Sequence, residues 1–283
     1  MTLSRREVID LLARHGLRPR RALGQHFVVD PNTVRRVARL AGVGPGDRVV
    51  EIGAGLGSLT LALVETGAEV VAVEVDDHLV AALREVVEPH PVRVVHGDAL
   101  AIDWDAVLDH PQPGHWVLVA NLPYNVATPL IAELLDRVPA IVRMLVMVQY
   151  EVGERLAAGV GDPGYGAVSV KVGYWATARL AGHVPPTVFW PEPAVDSALV
   201  VIERRATPAV DPAVVDPGAL FALVRAGFAH RRNMLRGALA GHVDAEDFAC
   251  AGVRPEARAE ELDVSAWGRL AACAERRRSA MGS

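Results

Sequence analysis

Asn121-Leu122-Pro123-Tyr124 closes an apolar run, Trp116 to Ala120, that reads as a buried strand. The order of residues brings a side-chain amide, two backbone carbonyls and an aromatic face to one strand terminus. Such a set suits an exocyclic amino group on a flat base. In adenine the N6 lone pair is delocalised into the ring, which makes the nitrogen a poor nucleophile. The Asn121 side-chain oxygen and a carbonyl near Leu122 or Pro123 would accept its two N–H groups and help to localise the pair. That is preorganisation aimed at developing positive charge. Tyr124 would stack on the ring. Taken alone, the tetrapeptide reads sooner as a polar strand end, a proline turn and a half-buried tyrosine.

The residues upstream decide between these readings. Gly53-x-Gly55-x-Gly57 stands at a strand-to-helix turn, where glycines let the backbone approach a ligand closely. Glu74, twenty-one residues after Gly53, ends the next strand, and a carboxylate there would grip ribose hydroxyls. This pair fits a nicotinamide dinucleotide as well as an S-adenosyl ligand. The G-x-G-x-G spacing and the lack of a long pyrophosphate-cradling loop favour the second. So does Asp98, which ends the third strand after Gly97 and could accept from an adenine amino group. Polar groups at consecutive strand ends of an open sheet converge on one crevice. A sulfonium-bound methyl demands alignment of donor and acceptor, with no covalent enzyme intermediate and no metal. No Ser-His-Asp, Cys-His or metal constellation is visible in the sequence.

The elements that must position these residues follow in order. Ser4-Arg5-Arg6-Glu7 is a capping-box pattern opening a helix closed by Gly16. A basic loop runs from Arg18 through Arg20 and Arg21 to Gly24-Gln25-His26-Phe27, and Asp30-Pro31 opens a second helix. Strands then alternate with helices: Val49 to Ile52, Val70 to Glu74, Val92 to Val95, Trp116 to Ala120 and Met144 to Val148. The pattern predicts a parallel, doubly wound sheet. Tyr174 to Leu180 and Ala198 to Glu203 read as two further strands on its edge. The Pro/Asp-rich connector from Arg205 to Gly218 reads as a domain boundary, and Leu220–Phe228, Arg232–Leu239, Ala245–Ala251 and Ala266–Ala274 as a small helical domain.

Two hundred and eighty-three residues suffice for one large and one small domain. No apolar run approaches the roughly 18 residues of a membrane span, and the charged N-terminus lacks a signal-peptide segment, so a cytoplasmic protein is expected. Cys250 and Cys273, without metal-type spacing, are expected to be reduced, half-buried residues. A net charge of −5 does not advertise a nucleic-acid binder. Arginines nonetheless crowd the first forty residues, and Arg225, Arg231, Arg232 and Arg236 crowd one late segment, so a local positive footprint is compatible with an acidic chain.

With these residues in view, the chain resembles the bacterial ribosomal RNA adenine dimethyltransferases of the KsgA/RsmA type. The resemblance is carried by Gly24-Gln25-His26-Phe27, Glu51-Ile52-Gly53-Ala54-Gly55-Leu56-Gly57, Val73-Glu74-Val75-Asp76, Gly97-Asp98-Ala99 and Asn121-Leu122-Pro123-Tyr124-Asn125. Further matches are Val148-Gln149-x-Glu151, Phe189-x-Pro191-x-Pro193-x-Val195-Asp196-Ser197, Phe228-Ala229-His230-Arg231-Arg232 and Arg258-Ala259-Glu260-Glu261-Leu262. It implies an α/β fold, a Rossmann-like S-adenosylmethionine-dependent methyltransferase sheet over residues 1–206, with an all-helical RNA-recognition domain over 207–283. It implies N6,N6-dimethylation of two adjacent adenosines near the 3′ end of 16S ribosomal RNA, within an immature 30S subunit, by a monomer. S-adenosyl-L-methionine would be the donor, S-adenosyl-L-homocysteine the product, and no metal would be needed. The implied donor pocket comprises Gln25, His26, Val28, Gly53, Gly55, Glu74, Val75, Asp98, Ala99 and Asn121. Asn121, Leu122, Pro123, Tyr124 and Phe189 would form the catalytic corner, with Tyr124 and Phe189 sandwiching an extruded adenine. Arg20, Arg21, Arg231, Arg232 and Arg236 would meet RNA. The family often has Asn at His26, a basic residue at Tyr150 and Lys at Ala194; the last two departures shift RNA contact onto the arginine clusters. The alternatives are a macrolide-resistance type 23S rRNA methyltransferase, a non-catalytic assembly factor and a nicotinamide dehydrogenase.

Overall fold

The computed structural model describes residues 2–20, 24–109, 115–123 and 126–281. The chain divides into two compact units, residues 1–153 with 179–204, and residues 154–178 with 205–283.

The first unit opens with α1 (Arg5–Arg14), whose Ser4 cap and Glu7 form the reciprocal capping box the sequence predicts. A two-residue strand, β1 (Phe27–Val28), precedes α2 (Pro31–Ala41), which Asp30 caps and Gly42 ends in the left-handed region. Then β2 (Arg48–Ile52), α3 (Ser58–Val64), β3 (Glu69–Glu74), α4 (Asp77–Val87), β4 (Val92–His96), α5 (Trp104–Val107), β5 (Trp116–Asn121), α6 (Ala127–Arg137) and β6 (Ile141–Gln149) follow. The remaining segments are α7 (Tyr150–Ala157), α8 (Ala167–Trp175), β7 (Ala176–Val184), β8 (Phe189–Trp190) and β9 (Ser197–Arg204). The sheet order is β4-β3-β2-β5-β6-β9-β7, with β9 antiparallel to β6. The chain builds outward from β2 in one direction through β3 and β4, then returns to β5 beside β2. That reversal is the topological switch point of a doubly wound sheet, where ligands bind outside the carboxyl ends of the strands.

The central parallel strands are largely apolar on both faces, as in sheets covered on both sides, while the edge strand β4 is only partly buried. Val49, Val50, Ala72, Leu118, Val119, Leu145 and Val146 are buried. Arg204, at the end of β9, binds the other end of the layer. Its guanidinium donates to the carbonyls of Leu134, Leu135, Val138 and Ile141, tying the C-terminal turn of α6 and the start of β6 to the end of β9.

The second unit gathers α8, α9 (Pro217–Ala229), α10 (Leu235–Ala238), α11 (Ala245–Ala251) and α12 (Val264–Met281) around Trp267, Leu270, Leu220, Phe221 and Tyr174. Gly227 makes room for Trp267: a Cβ there would lie 2.5 Å from the indole. Three expectations change here. Tyr174 ends a helix and does not begin a strand, because its ring packs edge-on against Phe221 in the helical core. Residues 154–178, placed by the sequence reading with the sheet, cluster with the helices for the same reason. Cys250 and Cys273 are joined as a disulfide and are not reduced. The packing of α11 along α12 brings together two residues 23 apart in sequence, with Cα atoms separated by 6.1 Å.

Glu51 is the one charged side chain sealed into the middle of β2. It is fully buried, accepts from Thr60 Oγ1 at 2.5 Å, and is pushed up to about 8, chiefly by desolvation and secondarily by the nearby Glu74. A carboxyl raised in the folded state ionises first in the unfolded chain. Its contribution to stability is therefore full below the ordinary carboxylate value and is lost as pH rises toward about 8. Thermal unfolding followed from pH 5 to pH 8 should show this loss in the native chain and less of it in Glu51→Gln, which keeps an oxygen for Thr60.

Candidate functional site

Register explains why the polar residues meet. Ile52 lies opposite Val73 on one side and Ala120 on the other; Glu74 lies opposite His96; Asn121 lies opposite Met147. Gly53, Glu74, Gly97-Asp98 and Asn121 therefore stand at the same level along four neighbouring strands. They open onto a cleft of about 260 Å³.

The glycine turn fits tightly beneath it. Gly53 and Gly55 have φ of 72° and 58°, in the region disfavoured for other residues. A Cβ on Gly55 would press on the Phe27 ring at 3.2 Å. Gly97 has a different reason: a Cβ would meet Ile102 Cγ2 at 2.5 Å. Glu74, 5% exposed, receives Gly55 N–H on Oε2 at 2.7 Å and Asp76 N–H on Oε1 at 2.9 Å. Burial raises its pKa, and these backbone donors oppose the rise. Val75 N–H also acts on this carboxylate, whose two oxygens together still have acceptor capacity for a ligand hydroxyl. Asp98 is exposed, and its Oδ1 accepts from Leu100 N–H at 2.9 Å. Val75 and Leu100, both exposed apolar side chains, line the same cleft.

The candidate catalytic corner is built from three distant parts of the chain. Asn121 Nδ2 donates to His26 O at 3.1 Å. A carbonyl can only accept, so the amide nitrogen faces it and Oδ1 is the amide's acceptor atom. His26 Nδ1 in turn lies 2.6 Å from Pro191 O, so that nitrogen carries the proton. Phe27 and Val28 pair antiparallel with Trp190 and Phe189. Pro123 O receives Val126 N–H at 3.2 Å and Ala127 N–H at 3.1 Å, opening α6. Both its lone pairs are committed, which leaves Leu122 O as the backbone acceptor.

Among the described residues, every one the sequence reading assigned to the donor pocket or the catalytic corner borders the cleft; Tyr124 lies outside the described residues. Two stand differently from what their types suggested. Gln25 spends both ends of its amide on the chain itself, accepting from Arg20 N at 2.8 Å and donating to Asp76 Oδ2 at 2.6 Å. Phe189 is 1% exposed, so its ring backs the cleft wall in this conformation without offering a face. Ser58 is a lining residue the sequence reading missed. Its Oγ is buried with no hydrogen-bond partner, a donor that a polar ligand would satisfy. Phe27 was quoted for its motif alone, although packing against Gly55 is its visible role.

The arginines expected to meet RNA are dispersed among several duties. Arg20 Nη1 is 3.4 Å from Asp76. Arg231 is held by Glu260 at 2.6 Å and donates to Pro163 O. Arg236 is 3.8 Å from Glu256. Arg232 is exposed, and Arg21 lies outside the described residues.

The cleft fits an S-adenosyl ligand: a glycine cradle, an anchored carboxylate for ribose, a second carboxylate with apolar side chains for a base, and an orphan hydroxyl. Comparison with known proteins agrees. The model for "Ribosomal RNA adenine dimethylase" matches residues 16–275. Proteins named ribosomal RNA small subunit methyltransferase A from Streptomyces griseus and Thermobifida fusca are 47% and 48% identical, each over 94% of this chain and over 92% and 93% of their own length. A dimethyladenosine transferase from Plasmodium falciparum, 22% identical, superposes with a TM-score of 0.70 over 87% of this chain and 96% of that one. The 23S rRNA methyltransferase ErmE, 26% identical, does so at 0.66 over 88% and 99%. The chain belongs to the ribosomal RNA adenine dimethylase family, as an S-adenosylmethionine-dependent enzyme.

Proposed function

We propose that this enzyme dimethylates N6 of two adjacent adenosines near the 3′ end of 16S ribosomal RNA, in an immature 30S subunit, as a cytoplasmic monomer. The observation that carries the chemistry is the Asn121 amide, turned by His26 O so that its oxygen is the acceptor. The near-halving of identity between relatives named for the small subunit and ErmE favours the small subunit over the 23S alternative.

Glu74 would hold the donor's ribose, Asp98 its adenine amino group between Val75 and Leu100, and the Gly53–Gly55 backbone its amino-acid end. When bound, S-adenosylmethionine supplies a methyl already activated on sulfur. Asn121 Oδ1 and Leu122 O accept the two N6–H groups, which draws the nitrogen lone pair out of conjugation and fixes it in line. Tyr124 stacks on the extruded base. Phe189 joins it once its ring is uncovered, and until then limits access to the corner. His26 keeps the corner in shape through both of its hydrogen bonds. Arg232, with Arg20, Arg21, Arg231 and Arg236, would steer the RNA through its phosphates.

Asn121→Ala should bind S-adenosylmethionine nearly as the native enzyme does, while transfer of labelled methyl into undermethylated small subunits falls about 10²-fold, as for loss of one preorganised polar group. Native enzyme that labelled large subunits and left small ones untouched would overturn the choice of substrate. Arg232→Ala should weaken RNA binding and lower the slope of log affinity against log salt by about one. An unchanged slope would remove Arg232 from the interface.

A further inference from the structure

Three residues beyond the catalytic corner, a second aromatic group sits at the sheet's carboxyl edge. Asn121 is paired with Met147; β6 runs on from there to Gln149, and Tyr150 follows it as the first residue of α7. At about 3.3 Å per residue, Tyr150 is on the order of 10 Å farther along the strand direction. Tyr150 is 38% exposed, one of the large exposed side chains among the described residues.

Tyr150 is not loosely held. Its N–H donates to Asp196 O at 3.0 Å, and its ring meets the His183 ring edge-on, centroids 6.0 Å apart and planes inclined by 62°. His183 Nε2 lies 3.3 Å from Asp196 Oδ2, with both side chains about half exposed. The backbone of His183 is anchored by Arg36, whose Nη1 donates to His183 O at 3.1 Å. The Arg36 guanidinium also lies against Gly182 Cα, in the space a Cβ would take. Asp196 ends the same segment that begins with Phe189, so one loop shapes the target corner and this outer group.

An exposed ring fixed in orientation, a second ring against its edge and an arginine alongside are what single-stranded nucleic-acid sites use: a stacking face and a cation for the backbone. We propose that Tyr150, braced by His183 and Asp196, is a stacking subsite for the nucleobase next to the adenosine undergoing methylation. Arg36 attracts the intervening phosphate. The subsite takes any base, because every base has a π-face, and it holds the neighbour unstacked from the target while the target is in the cleft. For a substrate of two adjacent adenosines, the waiting adenosine is the natural occupant. The inference rests on the reading that an RNA adenine enters the Asn121 corner.

The test compares Tyr150→Ala and Tyr150→Phe with the native enzyme, on undermethylated small subunits and on an RNA hairpin carrying 2-aminopurine beside the target. Tyr150→Ala should raise KM for RNA about 5- to 100-fold, the range for loss of one stacked base, with S-adenosylmethionine affinity unchanged. The bound 2-aminopurine should be several-fold brighter with Tyr150→Ala than with native enzyme, and Tyr150→Phe should match the native enzyme in both readouts. A KM within twofold of native for Tyr150→Ala would overturn the subsite. So would equal damage from Tyr150→Phe, or loss of donor affinity in Tyr150→Ala, which would mark a packing residue. Absence of methyl transfer by the native enzyme would instead defeat the underlying reading, so the two failures are distinguishable.

Discussion

In the mechanism we propose, one hydrogen bond, from Asn121 Nδ2 to the carbonyl of His26, sets the chemistry of the cleft. An unanchored amide could turn either end toward a ligand, and a donor aimed at an amino group would repel it. Facing a carbonyl, the amide has only one orientation that bonds, and the acceptor is what would remain for a substrate. The bond depends on the position of the His26 backbone, 95 residues away in sequence. That position is held from the other side by the β1–β8 ribbon and by the His26 ring on Pro191 O. The sheet thus contributes the strand end, and a two-residue ribbon outside it contributes the orientation.

The end of the cleft proposed to hold the methyl donor is shaped differently. Its carboxylates are shaped by backbone N–H groups: Gly55 and Asp76 on Glu74, Leu100 on Asp98. Backbone donors are fixed by the fold and need no side-chain ordering, so the carboxylates are presented without loss of rotamer freedom on binding. Burial of Glu74 costs some of its charge preference, and the N–H groups restore part of it. The glycines at 53 and 55 belong to the same arrangement, since Gly55 supplies one of those donors while clearing Phe27.

Much of this was legible in the residue order because it is local. Strand periodicity, the glycine spacing, the Asp30-Pro31 and Ser4–Glu7 caps and the polar residue at each strand end are short-range signals, and the parallel register lines them up. What escaped the sequence is long-range. Cys250 and Cys273 looked like unrelated thiols because their pairing exists only once α11 lies along α12. Arg231 looked like a free cation, and its partner Glu260 sits 29 positions later. Tyr174 belongs to a helix because the helical core claims its ring, overriding a β-favouring composition. Phe189 has the residue type of a stacking platform, but burial against Val28 and its neighbours is a property of the folded chain. The amide of Gln25 is spent internally, which its proximity to His26 in sequence did not reveal.

The claim that Asn121 and Leu122 present paired acceptors to an adenine amine is tested most directly by a crystal structure. The complex needed is the enzyme with S-adenosyl-L-homocysteine and a short RNA bearing an extruded adenosine. Density should place N6 at roughly 2.7–3.2 Å from both Asn121 Oδ1 and Leu122 O, with the Asn121 Nδ2–His26 O bond retained. An adenine bound with N6 pointing away from that corner, or an Asn121 amide released from His26 and turned nitrogen-first toward the base, would contradict the account.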